Sequence, residues 1–178
     1  MKTCLSQWRR PGFNCPAPGA ERIATLVPAF RPALSLRHFR PDQWTELAAW
    51  QPSLLVGRLE QLEVVRVQPT HAIVVLTAPG YPLDEAAREG LWRRFEVPVF
   101  EQMTDGRGHV IAAECEAHDG LHLLCKPSEA PLGEIRSAPC ECGRKGARVF
   151  PAGGEIQRTL TVTRSESVLP SAPVATTW

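Results

Sequence analysis

The sequence has little net charge and lacks any long apolar run. Its formal charge is +1 and its isoelectric point is about 7.7, so it lacks the basic surface of proteins that follow nucleic-acid phosphates. No segment approaches the roughly 20 apolar residues of a membrane-spanning helix. Residues 1–18 lack the apolar core of roughly 7 to 15 residues found in secretory signals. These absences argue against nucleic acid and membrane as partners and predict a cytoplasmic protein.

The size and cysteine content fit one intracellular domain. A chain of 178 residues with 43% hydrophobic content can bury a core of its own. Six cysteines are present, and in a reducing compartment they favour thiols or metal ligands over structural disulfides.

Proline density divides the chain. Residues 1–41 contain six prolines and two glycines, which predicts an extended arm or capping segment with one short strand at 23–27. Residues 42–164 are predicted to form an α/β domain. Residues 165–178, rich in Ser, Pro, Ala and Thr, are predicted to be a flexible tail.

The middle of the chain alternates apolar runs with helical patterns. A helix is predicted at 42–50 with Asp42 as its N-cap. Leu83, Ala87, Leu91 and Phe95 recur every four residues, which predicts a second helix. Buried strands of a parallel sheet are predicted at 53–56, 71–77 and 97–100.

Beyond Gly106 the apolar runs become short and are separated by glycine, proline and charged residues. Short antiparallel strands are predicted at 110–113, 121–124, 148–150 and 160–162. The predicted fold class is therefore α/β, with a small, mostly parallel sheet and crossover helices. A short-stranded antiparallel, loop-rich part around a Cys/His cluster follows it.

Three stretches, in order, carry a resemblance to a known family. They are W-Q-P-S-L-L-V-G at 50–57, the segment 82–101, and E-C-E-A-H-D-G-L-H at 114–122 followed by C-E-C-G-R at 140–144. Together they resemble the phenylacetate-CoA-ligase-like branch of the AMP-forming acyl- and aryl-CoA ligases. The resemblance spans roughly residues 42–150.

The chain departs from this family at the nucleotide site. Adenylation needs a loop rich in Ser, Thr and Gly whose backbone N–H groups approach the ATP phosphates, and no such loop is present. The family's Tyr-Gly-x-Thr-Glu motif is replaced by Q-M-T-D-G at 102–106, and nothing in the downstream sequence resembles the family's small domain with its catalytic lysine. We therefore expect neither ATP nor AMP as a cofactor and assign no catalytic residue.

Six residues of metal-ligand type lie within 28 positions: Cys115, His118, His122, Cys125, Cys140 and Cys142. Such clustering is what a structural zinc site requires. The resemblance singles out Cys115, His122, Cys140 and Cys142, which we predict as the ligands of a zinc knuckle at 115–142. His118 and Cys125 are reserve ligands, and unliganded thiols or a redox pair remain alternatives.

Several charged residues near this cluster have two interpretations. Glu114 and Glu116 flank Cys115 and are predicted to be solvated, with the alternative that they orient metal ligands. Asp105 fits a turn better than a cation site. Arg144 and Arg148 are predicted to lie on a solvated face rather than to bind an anion.

The leading functional hypothesis is a non-catalytic, zinc-binding ligase-like domain that acts as a structural or interaction module. One alternative is a subunit of a split acyl- or aryl-CoA ligase, and another is a nucleic-acid-binding zinc module. An exposed sheet edge is expected, and a homodimer or another protein partner could cover it.

Overall fold

The computed structural model describes residues 12–13, 15–17, 19–124 and 133–151. Its helices are α1 (Trp44–Trp50), α2 (Leu59–Leu62) and α3 (Glu85–Phe95). Its strands are β1 (Ile23–Thr25), β2 (Leu36–His38), β3 (Leu54–Gly57), β4 (Ala72–Thr77), β5 (Val99–Thr104), β6 (Val110–Glu114), β7 (Leu121–Leu123), β8 (Glu134–Arg136) and β9 (Arg148–Phe150). They form one mixed sheet in the order β2-β1-β3-β4-β5-β6-β7-β9-β8. The predicted α/β class is confirmed.

The first five strands in the sheet order, which are β2, β1, β3, β4 and β5, are parallel to one another. Apolar side chains pack against both faces of this part of the sheet. Ile73 and Val75 face the core that includes Leu91 of α3. Val74 lies in the core of the opposite face, together with Phe30. Because both faces are covered, these strands are nearly continuous apolar runs, as expected for a parallel sheet.

Part of the segment predicted to be a proline-rich arm belongs to this sheet. Strand β1 lies between β2 and β3, and Ala17 and Phe30 pack in the core beside it. Strand β2 was not predicted because its sequence, L-R-H, has a single apolar residue. The described part of residues 1–41 therefore contributes strands and core residues to the same domain.

Helix α3 lies where the four-residue repeat predicts a helix, but it begins after Leu83, the first residue of that repeat. Asp84 is the N-cap, and its side chain accepts a hydrogen bond of 2.7 Å from the N–H of Ala87. Leu91 and Phe95 are buried against the sheet. The prediction of this helix is confirmed.

The predicted N-cap of helix α1 is wrong. The residue before the helix is Gln43, and no side chain caps the first turn. Asp42 lies one position too early and instead forms an exposed ion pair of 3.4 Å with Arg40. Gln43 accepts a hydrogen bond of 3.0 Å from the N–H of Arg40, so it stabilises the turn that precedes the helix.

From β5 onward, neighbouring strands are antiparallel. Strand β5 runs to Thr104, beyond its predicted end, and Asp105 then begins the turn to β6 with a hydrogen bond of 2.9 Å from Gly108 N–H to Asp105 O. The antiparallel half of the sheet, from β5 to β8 in the sheet order, has a small core. It consists of Met103, Ile111, Ala112, Leu121 and Val149, with Leu123 packed against it.

The edge strand β8 was not predicted, because all three of its residues are exposed and its sequence has no apolar run. The strand predicted at 160–162 and the tail 165–178 lie outside the described residues. Within the ranges that the structure describes, no helix is long and apolar enough to cross a membrane.

Candidate metal centre

Two short turns carry the three cysteines of the cluster. In the first, which follows β6, the N–H of His118 donates to the carbonyl of Cys115 at 3.0 Å. In the second, the N–H of Gly143 donates to the carbonyl of Cys140 at the same distance. His118 and Gly143 both have positive φ, at 49° and 76°. The segments C-E-A-H and C-E-C-G therefore form similar turns, a likeness that we did not recognise in the sequence.

The N–H of Arg144 donates to the Sγ of Cys142 at 3.5 Å. The backbone N–H groups of Ala117 and Cys142 act in the same direction on Cys115 and Cys140, since each favours the thiolate of the cysteine two positions before it. Hydrogen bonds of this kind fix the direction of a sulfur and stabilise its thiolate form.

The fourth member of the cluster, His122, lies on a strand rather than in a turn. Strand β7 pairs with β6 and β9 on its two sides, so that His122 is opposite both Ala113 and Arg148. His122 is buried. Its Nε2 atom lies 3.3 Å from the Sγ of Cys142.

The predicted ligand atoms of Cys115, His122, Cys140 and Cys142 all lie within 4.8 Å of one another. The Sγ atoms of Cys115 and Cys140 are 3.7 Å apart. Tetrahedral zinc would place two sulfurs about 3.8 Å apart, and a sulfur and a nitrogen about 3.5 Å apart. The cluster could therefore hold a metal ion. Because a disulfide needs about 2.05 Å between its sulfurs, these thiols are free.

Burial and hydrogen bonding shift the protonation of the ligands in different directions. Burial raises the pKa of the Cys115 thiol to about 12. The N–H of Cys142 lowers the pKa of Cys140. Burial, assisted by two nearby arginines, lowers the pKa of His122 and so favours the neutral imidazole that metals bind. Metal binding would therefore displace a thiol proton from Cys115.

Arg148 is buried between the loops of the cluster, not on the predicted solvated face. Its guanidinium donates to the carbonyl of Asp119 at 2.6 Å and contacts the carboxylate of the same residue. It also reaches the carbonyls of Ala138 at 3.5 Å and Pro139 at 3.4 Å. Arg148 thus joins the loop after the first turn to the loop before the second.

Of the two reserve ligands, only His118 lies among the described residues, and it does not join the group. His118 directs its Nδ1 to the carboxylate of Glu114 at 3.0 Å, and its ring stacks on Phe100. Cys125 and Cys4 lie outside the described residues, and Cys15 donates to the carbonyl of Ala17.

Of the two acidic neighbours of Cys115, Glu114 is buried and Glu116 is exposed. The prediction that Glu114 is solvated is wrong, because α3, β5 and the turn at His118 each supply a partner for its carboxylate. Asp105 accepts hydrogen bonds from the N–H groups of Arg107 and His109, so its interpretation as a turn residue is confirmed.

A cleft of about 930 Å³ opens at the carboxyl ends of β4 and β5, where parallel sheets commonly bind ligands. Its lining residues include Thr77, Glu101 and Thr104. Burial raises the pKa of Glu101, although a hydrogen bond from Thr77 opposes the shift. We had not identified Glu101 as a site residue from the sequence.

No known family model matches the chain, and no curated protein matches it significantly.

Proposed function

We propose that the protein binds one zinc ion through Cys115, His122, Cys140 and Cys142 and acts as a non-catalytic structural or interaction module. The observation that carries this proposal is the convergence of four ligand atoms within 4.8 Å from two turns and a strand. Three sulfurs and one imidazole nitrogen are a donor set that suits zinc and that binds magnesium or calcium poorly.

The position of the cluster suggests what the metal would do. It lies in the antiparallel half, where the apolar core is small. One ion would cross-link the end of β6, strand β7 and the loop before β9. Because the complete site exists only in the folded chain, the free energy of metal binding would stabilise the fold.

The first experiment is to measure metal content per chain after purification without added metal. The wild-type protein is expected to contain about one zinc, as one four-ligand site requires. The double variant Cys140→Ser/Cys142→Ser is expected to contain none. Zinc should dominate over iron, cobalt and nickel in the wild type.

The matched control is Cys15→Ser. Cys15 is a free thiol in the described part of the chain, and it packs against the core of the parallel half. This variant should keep the full zinc content. A wild-type protein without zinc, or equal zinc in all three proteins, would contradict the proposal.

We also propose that the domain is related to the phenylacetate-CoA-ligase-like enzymes but does not adenylate acids by itself. The parallel strands with a crossover helix, and the cleft at their carboxyl ends, support the relationship. The described residues that line this cleft include no loop rich in Ser, Thr and Gly. Pyrophosphate release from ATP and aryl acids by the purified chain would overturn this part of the proposal.

A subunit of a split ligase is the second candidate, and the cleft is the observation that favours it. In that case a partner would supply the phosphate-binding loop and the catalytic lysine. Pyrophosphate release that appears only when such a partner is added would support this alternative.

Binding of nucleic acid is not favoured. Arg148, one of the basic residues near the cluster, is buried and bonded to Asp119, so it is not available to a phosphate. Retention on DNA or RNA at low salt, falling steeply as salt rises, would be needed to support that function.

A further inference from the structure

The two glutamates that flank Cys115 have different surroundings. The side chain of Glu114 is 5% exposed, whereas that of Glu116 is 55% exposed. Among the described residues, Glu116 forms an exposed ion pair of 3.7 Å with Arg144. Glu114 is enclosed by β5, α3 and the first turn of the metal cluster.

The carboxylate of Glu114 connects these three elements. Its Oε2 accepts hydrogen bonds from the N–H of Glu101 at 2.7 Å and from Nη1 of Arg88 at 3.1 Å. Its Oε1 lies 3.0 Å from Nδ1 of His118. Arg88 also donates to the carbonyl of Val99 at 2.6 Å, which ties α3 to the same end of β5.

Glu101 extends this connection to the cleft. Its side chain lines the cleft, where Oε1 accepts hydrogen bonds from the hydroxyl of Thr77 at 2.7 Å and from the N–H of Leu83 at 3.2 Å. Glu114 therefore holds the backbone of a residue whose side chain forms the cleft wall, and it directly precedes the metal-ligand candidate Cys115.

We infer that Glu114 is a positioning residue through which occupancy of the metal site orders the cleft wall at Glu101. This inference rests on the proposed function. A metal bond at Cys115 would restrain the turn that ends at His118, and so keep the Glu114 carboxylate against β5. Without the metal, the turn moves more freely, and the buried N–H of Glu101 loses its acceptor for part of the time.

The test is amide hydrogen exchange of Glu101 and Leu83 in the full chain, with zinc and after its removal by a chelator. Zinc is expected to slow exchange at Glu101 by about tenfold, within the usual range of coupling between two sites. Exchange at Leu83 should slow in the same direction, because its acceptor is the Glu101 side chain.

Two variants, one at each glutamate beside Cys115, test whether Glu114 carries the effect of zinc on amide exchange at Glu101. In Glu114→Gln, zinc should still bind while its effect on Glu101 exchange becomes much smaller, since the amide oxygen is a weaker acceptor than the carboxylate. Glu116→Gln alters the other neighbour of Cys115 and should leave the effect unchanged.

A second variant covers the case in which Glu114→Gln does not fold. His118→Gly suits the positive φ at this exposed position and leaves no side chain to contact Glu114. It should bind zinc and show a reduced effect at Glu101. Zinc binding with unchanged Glu101 exchange in the wild type would overturn this inference alone. Failure of the wild type to bind zinc would overturn the proposed function and this inference with it.

Discussion

Arg148 connects the two loops that lead into the metal cluster, and its planar guanidinium contacts several acceptors at once. Lysine cannot reproduce this geometry. We predict that Arg148→Lys lowers zinc affinity by about 10- to 100-fold, as changes beyond the direct ligands commonly do. Competition with a chelator of known affinity measures the effect.

The control for this prediction is Arg144→Lys. The side chain of Arg144 is 42% exposed and its ion pair with Glu116 is long, at 3.7 Å. Zinc affinity should change little, because the N–H of residue 144 still reaches the sulfur of Cys142. An equal loss in both variants would contradict the prediction, because the contacts of Arg148 would then not explain it.

Glu101 should make stability depend on pH. Burial raises its pKa above the usual value of 4.5, so the folded chain holds this proton more tightly than the unfolded chain. The stabilisation is complete below the usual value and is lost as pH rises through the raised value. We predict that the free energy of unfolding of the wild type, relative to Glu101→Gln, decreases over that window. Urea denaturation of both proteins after metal removal, from about pH 4.5 to 7, measures the difference. A constant difference would contradict the prediction.

Chemical type and grouping indicated six candidate ligands in the sequence, and the resemblance singled out the four whose ligand atoms the structure brings within 4.8 Å of one another. The burial of Glu114 and Arg148 could not be predicted. Their key partners lie 13 and 29 positions away, on β5 and in the loop at Asp119. A charged residue has no local pattern that reveals such contacts.

At the level of single elements, two aspartates that both precede helices allow a matched comparison. Asp84 caps α3 through the N–H of Ala87, whereas Asp42 caps no helix. We predict that Asp84→Ala lowers the free energy of unfolding by about 1 kcal/mol. Asp42→Ala should change it by less than about 0.5 kcal/mol, as for an ordinary surface site. Urea denaturation distinguishes them, and equal losses would contradict this assignment of the caps.

The elements that the sequence predicted well are those with a buried face. The apolar run of β4 arises because its side chains pack in a core on each face of the sheet, and the four-residue repeat at α3 arises because one face of the helix packs against a core. Strands β2 and β8 have three residues each and lie at the two edges of the sheet. Their pairing comes from backbone hydrogen bonds with a neighbour, which leave no periodic signal in the side chains.

For the whole molecule, the two halves of the sheet have unequal apolar support. The parallel half has a large core on each face, and the antiparallel half has one small cluster. We predict that zinc removal speeds amide exchange in β7 and β9 much more than in β3 and β4. Removing zinc should lower the free energy of unfolding by about 3 to 4 kcal/mol if the zinc concentration is normally 100 to 1,000 times the dissociation constant. Equal effects on all four strands would contradict this division.

The mixed character of the sheet could be predicted from the change in sequence texture after Gly106. The predicted strand at 23–27 is present as β1, but its position between β2 and β3 in the sheet could not be predicted, since prolines dominate the segment around it. The predicted homodimer stays a prediction. Strand β8 is one sheet edge, and it exposes Ile135 between the paired charges of Glu134 and Arg136. Light scattering at high protein concentration measures whether this edge associates.

The sheet order has a consequence for synthesis on the ribosome. All five parallel strands come from residues 23–104, before the first cysteine of the metal cluster at position 115. Since domains emerge from the amino-terminal end, the parallel sheet can form while the ligands are still inside the exit tunnel. If the cluster binds zinc as proposed, capture of the ion would follow formation of the parallel sheet, because Cys140 and Cys142 leave the ribosome well after β5.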